Sequence, residues 1–436
     1  MTLGKRRTAL LSTGLAALLT LVASCGSSGP GSAGGASAWA LTGGDEQTLR
    51  TSFENWNADH SGSRINAEFF ANDAYKQKIR TAIGAGDAPT LIFGWGGGTL
   101  QQWVDADKVM DLSGQINDNP ALADRFLPSV LETGKIDGKT YALPNNGMQP
   151  VILYYNKELF DRVGVEPPET WDDLMALVPK FKQQNIAPLS IGGQSKWPQL
   201  MWEEYLVDRI GGPEVFNAIA EGEPGAWSHP AILEANRKIQ QLVDAGGFVK
   251  GFNSIASDSA ADSALLYTGK AAMMLMGSWA YPTIKDSAPE FIAEDKLGYT
   301  TFPVVEGGKG DPDNIVGNPS NFWSVSAGAG EQEKQAALSY LKDGMMNDSY
   351  VDNLLSGGSV PPVKGIEDKL AGAENPDYLS FVYNMAAEAP NFQLSWDQAL
   401  TPRQGEALLN NLDQLFTKQI TPEQFSANMN KTIGQQ

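Results

Sequence analysis

The chain has 436 residues, with 51 Asp and Glu against 32 Lys and Arg, and 42% of its residues are hydrophobic. That length allows two or three domains with real cores, and the composition is not that of a disordered chain. A formal charge of −19, with no Lys/Arg-rich run past residue 7, argues against a nucleic-acid surface. Two His and one Cys leave little for a zinc, copper or haem site and nothing for an internal disulfide, so neither metal nor cofactor is expected.

Lys5, Arg6 and Arg7 precede an uncharged apolar stretch from Ala9 to Ala23, which is 15 residues long. That is short for a bilayer core of ~30 Å, and a signal peptide over residues 1–24 accounts for the charge, the short core and the small residues that follow. Arg6-Arg7 is compatible with twin-arginine export as well as the general route. Val22-Ala23-Ser24-Cys25 resembles a bacterial lipobox, which implies that Cys25 is diacylated and becomes the first residue of the mature chain. Two acyl chains, at ~0.8 kcal/mol per buried CH₂, hold stably where one is marginal. The alternative is a buried free thiol in an ordinary secreted protein. Residues 25–37, rich in Gly and Ser, read as a flexible tether. Removing residues 1–24 takes away three cations and no anion, which deepens the formal charge from −19 to −22. Lipid rather than surface charge would then hold the protein to an anionic membrane.

From Ala38 the patterns alternate. Ala38-Trp39-Ala40-Leu41 is a short apolar run, Asp45 to Ala58 has helical spacing, Ile65, Ala67 and Phe69 alternate as in a strand, and Tyr75 to Ile83 is helical again. Leu91-Ile92-Phe93 then runs into Gly94-Trp95-Gly96-Gly97-Gly98. Such alternation predicts an α/β fold with a mostly parallel sheet covered by helices on both faces. In that architecture ligands sit at the carboxyl ends of strands, which points to Thr42–Glu46 and Trp95–Gly98. A second strand set begins at Val151–Tyr155. Thr170-Trp171-Asp172-Asp173 has the form of a capping box, and helical spacing follows through Phe181, again over Ile232–Leu242, and again over Leu408–Phe416. Thr421-Pro422-Glu423-Gln424 opens a last helix, with Pro at its first position.

Several stretches, in order, resemble the extracellular solute-binding proteins of carbohydrate ABC transporters, the maltose-binding-protein-like family. They are Ile79–Thr90, Tyr141–Pro144, Tyr154–Phe160, Pro167–Leu174, Tyr267–Met274 and Gly277-Ser278-Trp279. Phe93–Gly98 resembles the actinobacterial lipoproteins of this family that take xylobiose and xylo-oligosaccharides. The resemblance implies a two-lobe periplasmic-binding-protein-like fold, with a hinge and a ligand cleft between the lobes. Residues 38–146 and a return segment 279–326 would form the first lobe, and residues 150–278 and 331–436 the second. The crossovers would fall near Pro144–Pro150, after Trp279 and near Ser326–Glu331.

A pyranose offers an apolar C–H face that suits tryptophan and a ring of hydroxyls that suits Asn, Gln, Asp, Glu and backbone N–H groups. The chain has 11 Trp. Trp95, set among glycines at a strand end, is a candidate stacking platform, with local packing as the alternative. Gly97 and Gly98 could open a helix whose N–H groups face hydroxyls. No P-loop lysine follows them, which disfavours a phosphate cradle. The family resemblance adds Trp279, Trp396, and one of Trp197 and Trp202 with Glu203. Trp39, Trp56, Trp103, Trp171 and Trp227 read as packing residues, and Asp397 and Gln398 as helix caps. For hydroxyls the candidates are Asp45 and Glu46, then Asn145, Asn146 and Gln149 at the first crossover, and Asn321. Asp45 could equally cap its helix, and Asn145-Asn146-Gly147 could be a turn.

The resemblance implies a monomeric receptor without chemistry, which captures a neutral oligosaccharide outside the cell and delivers it to the permease subunits of an ABC transporter. A chito- or cello-oligosaccharide is an alternative cargo. A lipid-anchored glycoside hydrolase is an alternative function, and it would need two carboxylates about 5–5.5 or 6.5–9.5 Å apart. A metal- or peptide-binding lipoprotein of the same shape is a third reading, disfavoured by the absence of His/Cys clusters and of an assignable clamp for peptide termini.

Overall fold

The computed structural model describes residues 35–434. The signal peptide, Cys25 and the tether up to residue 34 lie outside the described residues. Ala36 and Ser37, assigned to the tether by sequence, instead begin the first strand, Ala36–Leu41.

Two mixed sheets organise two lobes. In the first, Ala36–Leu41 runs parallel to Ile65–Phe70 on one side and to Leu91–Gly94 on the other. Phe322–Val325 and Leu143–Pro144 extend this sheet in antiparallel fashion beyond Leu91–Gly94. Between the strands lie the helices Glu46–Asp59 and Asn72–Ala85, whose apolar spacing buries Leu49, Phe53 and Trp56 on one and Tyr75, Ile79 and Ile83 on the other. Gly86, at φ +80°, ends the second helix in a left-handed cap. The second sheet is built on Gln149–Asn156, which is antiparallel to Ala271–Gly277, to Ile315–Asn318 and to Leu297–Thr300. Ala187–Ser190 and Phe392–Leu394 complete it as parallel partners of Ala271–Gly277 and Ile315–Asn318. The capping box at Thr170 is present, with reciprocal bonds to Asp173, and Thr421 with Gln424 forms another.

The expected mostly parallel direction holds for all but one strand of each sheet, and the exceptions share a cause. A strand that arrives from the other lobe enters at the cleft edge and runs away from it, against strands that run toward the cleft. Gln149–Asn156 and Phe322–Val325 are these incoming strands. The lobe boundaries are corrected for the same reason. Residues 279–318 stay with the second sheet through Leu297–Thr300 and Ile315–Asn318, and the return occurs at Pro319–Asn321. The chain then remains in the first lobe well past residue 331. Helix Glu331–Ser339 packs on Ala36–Leu41, and Asp348–Gly357 packs on Glu46–Asp59. Only after Glu367–Ala371 does it cross again, to Pro376–Glu388, which packs on Gln149–Asn156. The first crossing, Asn145–Met148, lies against the second. Asn145 N–H donates to Asn321 O (2.8 Å), and the Ser320 hydroxyl donates to Asn146 O (2.9 Å).

Candidate functional site

The carboxyl ends of strands from both lobes meet at a cleft of about 180 Å³. The first lobe supplies the turn after Leu41, the start of helix Asn72–Ala85, and Trp95 just past Leu91–Gly94. The crossings supply Asn146, Gln149, Asn318 and Asn321. The second lobe supplies Trp197 at the start of helix Trp197–Gly211, Asp258, Trp279 just past Ala271–Gly277, and Asp397. The lobes touch around this space. Gly44 N–H donates to Thr283 Oγ1 (3.4 Å), Asp73 N–H donates to Asp258 Oδ2 (2.9 Å), and Lys76 Nζ lies 3.4 Å from Asp397 Oδ2. Burial, reinforced by the Asp258 carboxylate across the gap, raises the Asp73 pKa.

Three indoles wall the cleft. Trp95 is 7% exposed and is held edge-on by Tyr75 (6.1 Å) and Phe93 (5.7 Å), with the Lys76 ammonium 5.0 Å from its ring. Its supports are therefore aromatic, although its neighbours in sequence are glycines. Trp197 and Trp279 are half-buried, with ring centroids 6.0 Å apart at 57°. Gly277 permits this placement, because a Cβ there would lie 1.9 Å from the Trp279 ring.

The polar lining is partly unsatisfied. Asn321 Oδ1 accepts from Asn146 Nδ2 (3.1 Å) and from Gln149 Nε2 (2.8 Å). Asn146 Oδ1, Asn318 Oδ1, Asp258 Oδ1 and Trp197 Nε1 are buried without a partner. Such groups carry a desolvation cost unless something hydrogen-bonds to them.

Of the candidates, Asp45, Glu46, Trp95, Asn146, Gln149, Trp197, Trp279 and Asn321 line the cleft. Two of them act chiefly within the protein. Asp45 accepts from the Ser359 hydroxyl and from Gly147 N–H (3.1 Å), which clips the first crossing to its helix; burial raises its pKa and these two bonds oppose the rise. Glu46 accepts from Gly43 N–H (2.9 Å) and pairs with Arg50 (2.6 Å).

Other candidates are corrected. Trp202 is fully buried in the second lobe's core between Phe248 and Phe302. Glu203 beside it is fully buried outside the cleft, and burial with the nearby Glu204 holds its pKa well above the usual range. Trp396 is 1% exposed and stacks on Phe216 (4.5 Å, 11°). Asn145 is fully buried outside the cleft, and its carbonyl accepts from the Tyr350 hydroxyl. Gly97 and Gly98 seat the second lobe, because a Cβ on them would lie 2.4 Å from Gln398 O and 2.1 Å from Leu400 O. Asp397 and Gln398, read as caps, line the cleft instead, and Asn72, Lys76, Asp258, Thr283 and Asn318 join it without any signal in the local sequence pattern.

The cleft carboxylates are engaged as well: Asp258 with Asp73 N–H, Asp397 with Lys76, Asp45 and Glu46 as above. Among the described residues no group of three or more His, Cys, Asp or Glu could hold a metal, and no helix is long and apolar enough to cross a membrane.

A two-lobed α/β molecule with a cleft at its crossings is the architecture of a solute receptor. Residues 39–342 match the bacterial extracellular solute-binding protein family, and the chain belongs to it. A putative binding protein of Brucella abortus is 30% identical over 299 residues, 66% of this chain and 68% of that protein. The multiple sugar-binding protein of Streptococcus mutans is 26% identical over 315 residues, 70% of each chain. Among solved structures, one from work on xylan utilization by the thermophilic bacterium Caldanaerobius polysaccharolyticus has a TM-score of 0.82 at 28% identity and covers 92% of this chain and 100% of that one. A chitin oligosaccharide binding protein has a TM-score of 0.79 at 26% identity, covering 91% and 97%.

Proposed function

We propose that the cleft captures a neutral oligosaccharide and that the chain delivers it, unaltered, to an ABC-type permease. One observation carries this reading: three indoles line the interlobe space together with residues that hold four buried, unpartnered polar atoms. Flat apolar platforms beside scattered donors and acceptors suit a pyranose ring. Of the residues lining the cleft Lys76 is the one cation, set against Asp45, Glu46, Asp258 and Asp397, which disfavours acidic sugars and the carboxylate of a peptide. The lobes' contacts around the cleft suit a receptor in which the closed form holds the solute.

Xylobiose or a xylo-oligosaccharide is the cargo proposed, supported by the likeness to the protein from the xylan-utilization study. A chito-oligosaccharide is the second reading, supported by the chitin oligosaccharide binding protein. The receptor acts as a monomer outside the membrane, anchored through lipid on Cys25. Tryptophan fluorescence and calorimetry with xylo-, cello- and chito-oligosaccharides test the cargo. A Kd on the order of 10⁻⁸ to 10⁻⁶ M, roughly −11 to −8 kcal/mol, is expected for the right series. Absence of binding to all three overturns the carbohydrate reading, and monosaccharide release at enzyme-like rates would make the protein a hydrolase. Shedding of Cys25→Ser into the medium tests the anchor.

A further inference from the structure

The cleft does not end at Trp95. A second cavity of about 540 Å³ lies beyond it, between helices Asn72–Ala85 and Gly97–Asp105 of the first lobe and helix Pro402–Phe416 of the second. The two spaces share Lys76, Trp95, Asp397 and Gln398 as a common wall. That wall is a bar of side chains rather than backbone. Lys76 Nζ reaches across the lobes to Asp397 Oδ2 (3.4 Å), Gln398 Nε2 donates to the same oxygen (2.7 Å), and the Trp95 ring lies under the ammonium.

Small-molecule sites typically measure ~300–1,000 Å³. The inner space, at about 180 Å³, falls below that range, and the outer one lies within it. The outer groove has the same chemistry as the inner: apolar surface from Ile79, Ile83, Trp103 and Leu409, rimmed by polar groups. Of its four cations, Lys76 pairs with Asp397, Arg80 pairs with Glu406 (3.4 Å), Lys196 Nζ donates to Asn410 Oδ1 (2.7 Å), and Lys108 stands at the rim.

We propose that this groove is an outer saccharide subsite, entered by the same chain that fills the inner cleft, and that the receptor prefers trisaccharides and longer oligomers to disaccharides. This rests on the carbohydrate reading above. The chain passes Trp95, whose ring faces both spaces, and its hydroxyls replace the Lys76–Asp397 contact with bonds to each partner.

The test is calorimetry with xylo- and chito-oligosaccharides of two to five residues. The proteins are the wild type, Leu409→Trp from the second lobe's side of the groove, and Ala106→Trp from the first lobe's exposed side. Two variants on opposite walls keep the result interpretable should one fail to fold. In the wild type the affinity rises about tenfold or more from the disaccharide to the tetrasaccharide, a gain of about 1.4 kcal/mol. The folded variants lose that gain and keep the disaccharide affinity within about twofold. An affinity independent of chain length in the wild type, or a length gain that survives both folded variants, overturns the outer subsite. Binding of no saccharide at any length refutes the carbohydrate reading itself, and a peptide that binds through the groove in place of sugar does the same.

Discussion

Gly98 offers a direct way to separate folding from closure. A Cβ at this position would sit 2.1 Å from Leu400 O and 2.5 Å from its carbonyl carbon, atoms that belong to the other lobe. Within its own lobe the substitution is favourable, because Ala at a helical position is preferred to Gly by roughly 0.5–1 kcal/mol. Gly98→Ala should therefore leave the melting temperature unchanged or slightly raised. In the closed form, contact with a carbonyl oxygen requires the second lobe to withdraw by about 1 Å. Overpacking of this kind costs roughly 1–3 kcal/mol. A solute that binds the closed form bears that cost as affinity, a loss of about 5- to 150-fold at 1.4 kcal/mol per tenfold. Calorimetry with the best oligosaccharide reads the affinity, and small-angle scattering with and without sugar reads closure. Wild-type affinity in a normally folded Gly98→Ala protein would refute the assignment of this glycine loop as the seat of the second lobe.

The indoles separate in the same way. Trp279→Ala should cost about 2 kcal/mol or more of binding if the ring is a buried anchor, with little effect on folding. Trp396→Ala removes a core ring stacked on Phe216, so it should cost roughly 3–5 kcal/mol of stability, read by urea denaturation; equal effects of the two variants on binding and stability would contradict the corrected site. Burial lifts Glu204 to about 8, although Trp396 N–H and the Ser395 hydroxyl both donate to it. Between the ordinary value of 4.5 and about 8 the unfolded chain ionises while the folded one keeps its proton, so stability falls as pH rises across that window, by about 1.4 kcal/mol per unit for this group. Glu204→Gln should make denaturation curves between pH 5 and 8 less pH-dependent, with the raised Glu203 accounting for what slope remains. An unaltered slope in that variant means the carboxyl is already ionised.

Local structure was readable from the sequence where side-chain chemistry is local. Thr170 with Asp173 and Thr421 with Gln424 announce helix starts through their own hydrogen bonds, and the spacing of Leu49, Phe53 and Trp56 declares a buried face. The lobe boundaries were not readable in this way. Ile315–Asn318 and Phe322–Val325 are short apolar strands three residues apart, yet they join different sheets, and nothing in either one names its neighbours. The tryptophans show the same limit. Trp197 and Trp202 lie five residues apart on one helix, about 140° around its axis, so when one faces the cleft the other points to the core. At the turn after Leu394, Trp396 turns inward and Asp397 and Gln398 outward, so the expectation was one residue out of register with the cleft.

The amide of Asn321 receives bonds from Asn146 and Gln149, which belong to the strand of chain that carries the molecule from one half to the other. The crossing and the wall of the cleft are therefore built from the same side chains. A cargo that touches these amides also splints the joint about which the halves turn. The dwell time of such a cargo would then depend on the joint as well as on the contacts it makes.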